Sequence, residues 1–285
     1  TGTLRWNHVF NNKLFVNTTA VYNDYNFTFK ATQNNFELKL ASGIRDLSLK
    51  QDYDFYPFSN HKLKFGFLYT YHRFTPSVVS GRQDSVVFNP QNAQVKYAHE
   101  AAAYIQDNWE INPKLNLNLG LRYSGFQQIG PGKIYSEDAN GSRIDSLVFG
   151  RGKAMKTYGG LEPRATLRYA FNDQTSIKAS VTRNLQYIHL VSNAGTTLPT
   201  DIWVPSTYKP QISWLYALGL FKNFKNNMFE TSVEVYFKDM RNQIEYEEGF
   251  TPSTIEDIEK FFTFGRGWSY GTELFFNKVK GRLTG

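Results

Sequence analysis

Strict alternation of apolar and polar residues is the feature that most constrains what this chain of 285 residues can fold into. In the stretch 114–123, KLNLNLGLRY, an apolar or tyrosine side chain occupies every second position from Leu115 to Tyr123. Because successive side chains of a β-strand point to opposite faces of the sheet, such a strand has one apolar and one polar face. The same pattern recurs in the stretches 61–72, 163–171 and 227–238. The chain is therefore predicted to be all-β.

The predicted strands are longer than those of most soluble sheets. Several alternating stretches run for ten residues or more, whereas strands of globular proteins are mostly about five or six residues long. A tilted strand that crosses an outer membrane needs about 9 to 11 residues. Eleven strands and the start of a twelfth are expected near 3–9, 14–30, 36–54, 61–74, 97–110, 114–126, 158–170, 174–187, 210–222, 227–247, 266–277 and from 281 onward.

The connections between these strands alternate in length. Short turns rich in Asn, Asp, Pro, Gly and Lys are expected at 10–13, 56–60, 111–114, 171–174, 223–227 and 277–281. Longer, irregular connections lie near 75–95, 127–157, 188–209 and 249–265, with a shorter one near 31–35. Short turns on one side and long loops on the other are typical of an outer-membrane barrel. Residues 1–285 are predicted to form one segment of a transmembrane antiparallel β-barrel.

The composition argues against several other classes of protein. Cysteine is absent, which excludes disulfides and cysteine metal sites. The net charge of +7 comes from scattered Lys and Arg rather than a dense basic run, so nucleic acid is not an expected partner. No apolar run approaches the roughly 18 to 20 residues of a membrane helix. Hydrolase, zinc-protease and nucleotide-binding motifs are absent, and the histidines lack metal-ligand spacing. Neither an enzyme nor a metal or cofactor site is expected.

Three stretches resemble the TonB-dependent receptor family. Residues 100–126, EAAAYIQDNWEINPKLNLNLGLRYSGF, are similar to a mid-barrel hairpin in which "YxQD.W" turns at "NPK" into "LxLxxGLRY". Residues 161–184 resemble the following "PRxxLxY" hairpin, and residues 269–285 resemble the "GxE" strand and "G.L.G" start of a later one. The Asn-rich and Tyr-rich character is similar to that of receptors from Bacteroidetes-type bacteria.

The resemblance implies a barrel of about 22 strands, closed by an N-terminal plug, in the outer membrane of a Gram-negative bacterium. Such a receptor captures a scarce nutrient, for example a siderophore, oligosaccharide or peptide, and opens its plug when the TonB complex pulls on an N-terminal motif. The plug, that motif and the terminal strands are expected to lie outside this sequence. Outer-membrane lipid and a surface lipoprotein are further implied partners. A passive porin or export channel and a soluble extracellular β-sheet binding protein remain as alternatives.

Two groups of residues are candidates for binding. In the long connections, aromatic side chains with polar neighbours suit sugar rings or flat ligands, although packing the loops together over the barrel mouth is the alternative that the residues favour. These loop candidates are Arg82, Tyr187, His189, Trp203 and Tyr208. If the apolar faces meet lipid, Arg122, Arg164 and Arg168 point into the lumen. Enclosed charges need partners, so we expect these arginines to contact the plug or the wall, or to line a substrate path.

Overall fold

The computed structural model describes residues 1–34, 36–83, 86–88, 95–137, 143–191, 202–205, 209–247 and 262–285. Its strands are β1 (Gly2–Asn11), β2 (Leu14–Gln33), β3 (Phe36–Phe55), β4 (His61–Gln83), β5 (Val86–Phe88), β6 (Lys96–Asn112), β7 (Leu115–Ile129), β8 (Gly132–Glu137), β9 (Arg143–Phe149), β10 (Ala154–Asn172), β11 (Thr175–Gln186), β12 (Ile188–Val191), β13 (Ile202–Pro205), β14 (Gln211–Phe224), β15 (Phe229–Tyr246) and β16 (Phe262–Lys278).

The long strands form one antiparallel sheet that follows the order of the chain. Its order is β1-β2-β3-β4-β6-β7-β10-β11-β14-β15-β16, and β5 pairs with β4. The hairpins β8–β9 and β12–β13 stand outside this sheet. Among the described residues, β1 pairs only with β2, and β16 only with β15, so the sheet has two open edges. The predicted all-β, antiparallel architecture is confirmed.

Asparagine side chains close the short turns on one side of the sheet. In the turn between β6 and β7, Asn112 Oδ1 accepts hydrogen bonds from the backbone N–H groups of Lys114 and Leu115, at 2.9 and 3.0 Å. Asn11 and Asn172 accept the same kind of bond in the turns β1–β2 and β10–β11. Because the side chain replaces a backbone acceptor, the chain can reverse within two residues.

The two faces of the sheet differ in chemistry and in exposure. On the apolar face, side chains stand side by side across neighbouring strands, as in the row Leu119, Ala165, Val181, Tyr216, Phe237 and Tyr270. Large apolar side chains there are exposed. On the opposite, polar face many hydrophilic side chains are buried, among them Asp52, Thr70, Ser124 and Glu162. This difference fits a curved sheet whose polar face lies on the inside.

The structure corrects two expectations from the sequence. No strand forms from residue 281 onward, because the chain turns at Gly281 and residue Gly285 exchanges backbone hydrogen bonds with Lys278. The connections expected to be irregular contain paired strands. These are the hairpins β8–β9 and β12–β13 and the part of β4 that extends beyond residue 74 to Gln83. Within the described ranges, the chain has no helix that is long and apolar enough to span a membrane.

Candidate functional site

A ladder of ionic contacts crosses the polar face from strand to strand. His72 on β4 lies between two carboxylates, with its Nδ1 2.8 Å from Asp46 Oδ1 on β3 and its Nε2 3.5 Å from Glu100 Oε2 on β6. The residue is only 5% exposed. The hydrogen bond between Nδ1 and Asp46 holds the enclosed imidazole in one orientation, and Nε2 has the longer contact with Glu100. The three side chains therefore tie β3, β4 and β6 together.

A second cluster lies on the same polar face, and a third lies on the opposite face of the sheet. On the polar face, Asp52 forms an ion pair with Lys50 at 2.9 Å and accepts a hydrogen bond from the hydroxyl of Tyr104. On the apolar face, where Asp239 of β15 pairs in register with Trp214 and Trp268, its carboxylate accepts hydrogen bonds from Arg241 at 3.1 Å and from Arg266 of β16 at 2.8 Å. Each carboxylate is thus neutralised by neighbours within the wall.

A fourth cluster joins the wall to a long connection. The hydroxyl of Ser124 donates to Glu162 Oε1 at 2.5 Å and lies 2.9 Å from the hydroxyl of Tyr187. The Tyr187 hydroxyl also donates to the backbone carbonyl of Ser124 at 3.0 Å. Arg122 Nε lies 3.3 Å from the same Glu162 oxygen. Glu162 Oε2 also accepts a hydrogen bond from the backbone N–H of Leu185 on β11, at 3.3 Å. This carboxylate therefore links β7, β10 and β11, and Ser124 connects it to Tyr187.

Aromatic side chains form a core at the end of the polar face away from the Asn turns. The rings of Phe126 and Tyr187 stack with their centroids 5.5 Å apart, and buried Phe74 belongs to the same cluster. Trp203 on β13 packs against this core and meets Tyr25 edge-on, with the centroids 6.4 Å apart. Strand β13 also contacts β3 and β4. The β12–β13 hairpin thus lies over the inner surface of the wall.

The loop candidates differ in where the structure places them. Tyr187 and His189 are 3% and 4% exposed, and burial lowers the pKa of His189 to about 4. Trp203 is half-buried in the aromatic core. Arg82 lies on β4 with its backbone opposite Glu37, but its side chain and all of Tyr208 lie outside the described residues. In this conformation Tyr187, His189 and Trp203 pack the hairpin onto the wall, and their role in binding stays a prediction.

The three arginines expected in the lumen lie on the polar face. Arg122 pairs with Glu162 within the wall. The side chain of Arg164 extends over Gly120, where a Cβ atom would approach its Cγ to 2.7 Å.

Arg168 stands directly opposite Lys178 on β11. Both line a hollow of about 380 Å³ beside the turn after Asn172, and no carboxylate of the described residues forms an ion pair with either. Two like charges in register repel one another. Among the three arginines, Arg168 therefore has the strongest need for an acidic partner from outside the described wall.

The sequence did not single out the carboxylates and the histidine of the ladder. Asp46, His72, Glu100 and Glu162 occupy positions that alternate with the apolar rows, and that alternation is the only signal for them in the sequence. In the described part of the chain, no group of three or more His, Cys, Asp or Glu side chains is arranged to hold a metal ion.

The comparison with known proteins agrees with this architecture. A family model described as "TonB dependent receptor-like, beta-barrel" matches residues 1–284. No curated protein sequence matches the chain.

Among solved structures, the chain is similar to the ferric-catecholate import receptor Fiu from E. coli, with 13% identity and a TM-score of 0.62 over 98% of this chain and 44% of Fiu. It is similar to the ferric yersiniabactin uptake receptor FyuA from Yersinia pestis, with 11% identity and a TM-score of 0.65 over 98% of this chain and 39% of FyuA. It is also similar to the pyoverdine outer membrane receptor FpvA from Pseudomonas aeruginosa, with 14% identity and a TM-score of 0.60 over 97% of this chain and 41% of FpvA.

The chain spans about two fifths of the length of these three receptors, and at such low identity the similarity concerns the fold alone. The family model, in contrast, covers nearly every residue. Together with the two-faced antiparallel sheet, this match shows that the chain belongs to the TonB-dependent receptor family and forms part of its β-barrel.

Proposed function

We propose that this chain is part of the wall of an outer-membrane receptor that takes up a scarce small nutrient by plug-gated transport energised through TonB. The observation that carries the proposal is the division of the sheet into two faces. The apolar face exposes rows of Leu, Val, Phe and Tyr that suit contact with hydrocarbon, while the polar face carries a ladder of paired charges that suits an enclosed, polar lumen.

The ligand belongs to the class of small molecules rich in oxygen donors or rings, such as a metal chelate or an oligosaccharide. Fiu and FyuA import ferric chelates, and FpvA is seen with pyoverdine bound. Tyr25 and Trp203 provide aromatic surface at the loop end of the lumen. The proposed transport consists of binding the ligand and letting it pass through the barrel, and it requires no covalent chemistry.

The experiment uses the full-length parent protein in its own host. Membrane fractionation and gel mobility before and after boiling report on the barrel, and uptake of labelled ferric chelates and oligosaccharides is compared with and without TonB. Outer-membrane location, heat-dependent mobility and TonB-dependent uptake are the expected results. Passage that persists without TonB would favour a passive porin or export channel instead. A soluble protein without a heat-dependent shift would favour an extracellular binding protein.

The proposal includes contact between the polar face of this wall and a plug inside the barrel, and the position of Arg168 supports that contact. Arg168 and Lys178 face the lumen close to a short turn and have no acidic partner among the described residues. An acidic side chain of the plug would neutralise both charges. We expect the double substitution Arg168→Gln and Lys178→Gln in the full-length receptor to loosen the plug. The readout is sensitivity of cells to a large antibiotic that the closed receptor excludes.

The matched control is Lys114→Gln, which removes a positive charge from an exposed turn at the same end of the sheet. Cells that carry this variant should keep the sensitivity of the wild type. Equal sensitivity of the double variant and this control would contradict the plug contact.

A further inference from the structure

An apolar hollow of about 450 Å³ opens on the apolar face of the sheet, outside the lumen. Its floor is formed by Pro163 and Ala165 of β10, whose short side chains leave a gap between larger neighbours. Its walls include Ile105, Leu121 and Trp214. The volume lies within the range of about 300–1,000 Å³ that is usual for small-ligand sites.

Two charged residues line this hollow, but the side chain of Arg164 extends over Gly120 on the polar face, so Asp107 is the one that faces the hollow's own side of the sheet. Asp107 of β6 faces the same side as Ile105, and its Oδ2 lies 2.7 Å from His61 Nδ1. Its other oxygen, Oδ1, is enclosed, and no described residue gives it a hydrogen-bond partner. A carboxylate with one oxygen left without a donor in an apolar setting is costly, so a cationic ligand that approaches the exposed part of this side chain would be favoured there.

The acidic group lies close to one end of the strands. His61 is the first residue of β4, and its ring stacks on Trp109 with the centroids 5.3 Å apart. Asp107 lies on β6 two residues before Trp109, further from the turn, and pairs in register with Leu63. An aromatic pair beside a turn is typical of the boundary between hydrocarbon and water. The hollow therefore extends from this boundary towards the middle of the apolar face.

We propose that this hollow binds a phospholipid whose headgroup carries a protonated amine. One acyl chain lies over Pro163 and Ala165, and the ammonium group pairs with the carboxylate of Asp107, whose side chain is 27% exposed. An ammonium has three donors and a positive charge, which complement a carboxylate that has one oxygen unpaired. The inference rests on the proposed membrane placement of the apolar face and extends it from general lipid contact to one site of defined chemistry.

The test compares two lipids on the purified full-length receptor. The receptor is exchanged into detergent containing either phosphatidylethanolamine or phosphatidylglycerol, and retained lipid is counted by native mass spectrometry. The wild type is expected to retain one phosphatidylethanolamine in preference to phosphatidylglycerol. Asp107→Asn removes the charge, and its affinity for phosphatidylethanolamine should fall about tenfold, with little change for phosphatidylglycerol.

A second variant tests the hollow without touching the acid. Ala165→Phe fills the floor, and both lipids should be lost from the site. Its control is Leu220→Phe, which enlarges an exposed side chain on the same face away from the hollow, and which should retain lipid as the wild type does.

Heat-dependent gel mobility is measured on every variant before lipid is counted. A barrel with heat-dependent mobility in which neither Asp107→Asn nor Ala165→Phe alters lipid retention would overturn the lipid site and leave the proposed receptor intact. A full-length protein that is soluble and shows no heat-dependent shift would overturn both.

Discussion

The hydroxyl groups of Tyr187 and Ser124 lie 2.9 Å apart, although 63 residues separate them in the sequence. Ser124 belongs to the polar face of β7, and Tyr187 is the residue between β11 and β12. The same tyrosine ring stacks on Phe126, two residues beyond Ser124. This side chain therefore fixes the start of the β12–β13 hairpin against the inside of the wall through both a polar and an apolar contact.

Tyr187→Ala should release the β12–β13 hairpin from the wall. Loss of a buried aromatic ring costs about 3 to 5 kcal/mol where the surroundings cannot close the gap. Tyr187→Phe keeps the stacked ring and loses only the hydroxyl, so it should cost about 1 kcal/mol. Hydrogen exchange of residues 186–191 in the full-length receptor measures both effects.

Tyr270→Phe is the matched control for these variants, because Tyr270 is exposed on the apolar face of β16. It should leave exchange of residues 186–191 unchanged. Equal exchange in wild type and Tyr187→Ala would mean that the hairpin is held by other contacts.

Acid should weaken the same hairpin through His189. Burial lowers the pKa of His189 to about 4 in the folded protein, against about 6.5 in an unfolded chain. The unfolded state therefore binds more protons between these values, and stability that is complete above about pH 6.5 is lost as the pH falls towards 4. At pH 5 the loss amounts to about 2 kcal/mol.

Hydrogen exchange of β12 at pH 7.5 and pH 5, corrected for intrinsic rates, checks this sign and size. His189→Gln cannot take up the proton and should show a much smaller difference between the two pH values. His8→Gln, at an exposed position on β1, serves as the control and should behave as the wild type. Exchange of β12 that becomes slower at pH 5 would contradict the lowered pKa.

The sequence predicted the long strands because their alternation is local. It failed where strand structure depends on a partner. Strand β4 was expected to end near residue 74 but continues to Gln83, because Phe36 at the start of β3 pairs with that residue. Strand β10 begins at Ala154 rather than near 158, because Ala154 pairs with Ile129. Such pairing extends a strand into a stretch whose own residues no longer alternate.

The candidate site was harder to predict than the fold for a related reason. Alternation placed Arg122 and Arg168 on the polar face, but it could not tell that Arg122 has Glu162 beside it whereas Arg168 faces Lys178. Those neighbours follow from the register between strands, which shifts at bulges such as the one near Asn172. The cluster around His72 depends on register in the same way.

The Asn turns make a further prediction about stability. Asn112→Ala removes an acceptor that binds two backbone N–H groups, so unfolding of the barrel in urea should become easier by about 1 to 2 kcal/mol. Asn112→Asp keeps the oxygen and should retain most of the stability. Lys114→Ala changes an exposed residue of the same turn and is the control. The idea fails if Asn112→Ala and Lys114→Ala unfold at the same urea concentration.

Two adjacent residues of β14 test the assignment of the faces most directly. Leu218 is 47% exposed on the apolar face, whereas Ala217 points to the polar face beside Ser180. Arginine on a lipid-facing position near the middle of a membrane costs about 2 to 4 kcal/mol, whereas a lumen position keeps the charge in a polar setting. Leu218→Arg in the full-length receptor should therefore reduce the amount of heat-modifiable barrel in the outer membrane, and Ala217→Arg should reduce it far less. Because both variants add the same side chain one residue apart, helix or strand propensity and net charge cannot explain a difference between them. If Ala217→Arg were the more damaging of the two, the face that we assign to lipid would be the one that lines the lumen.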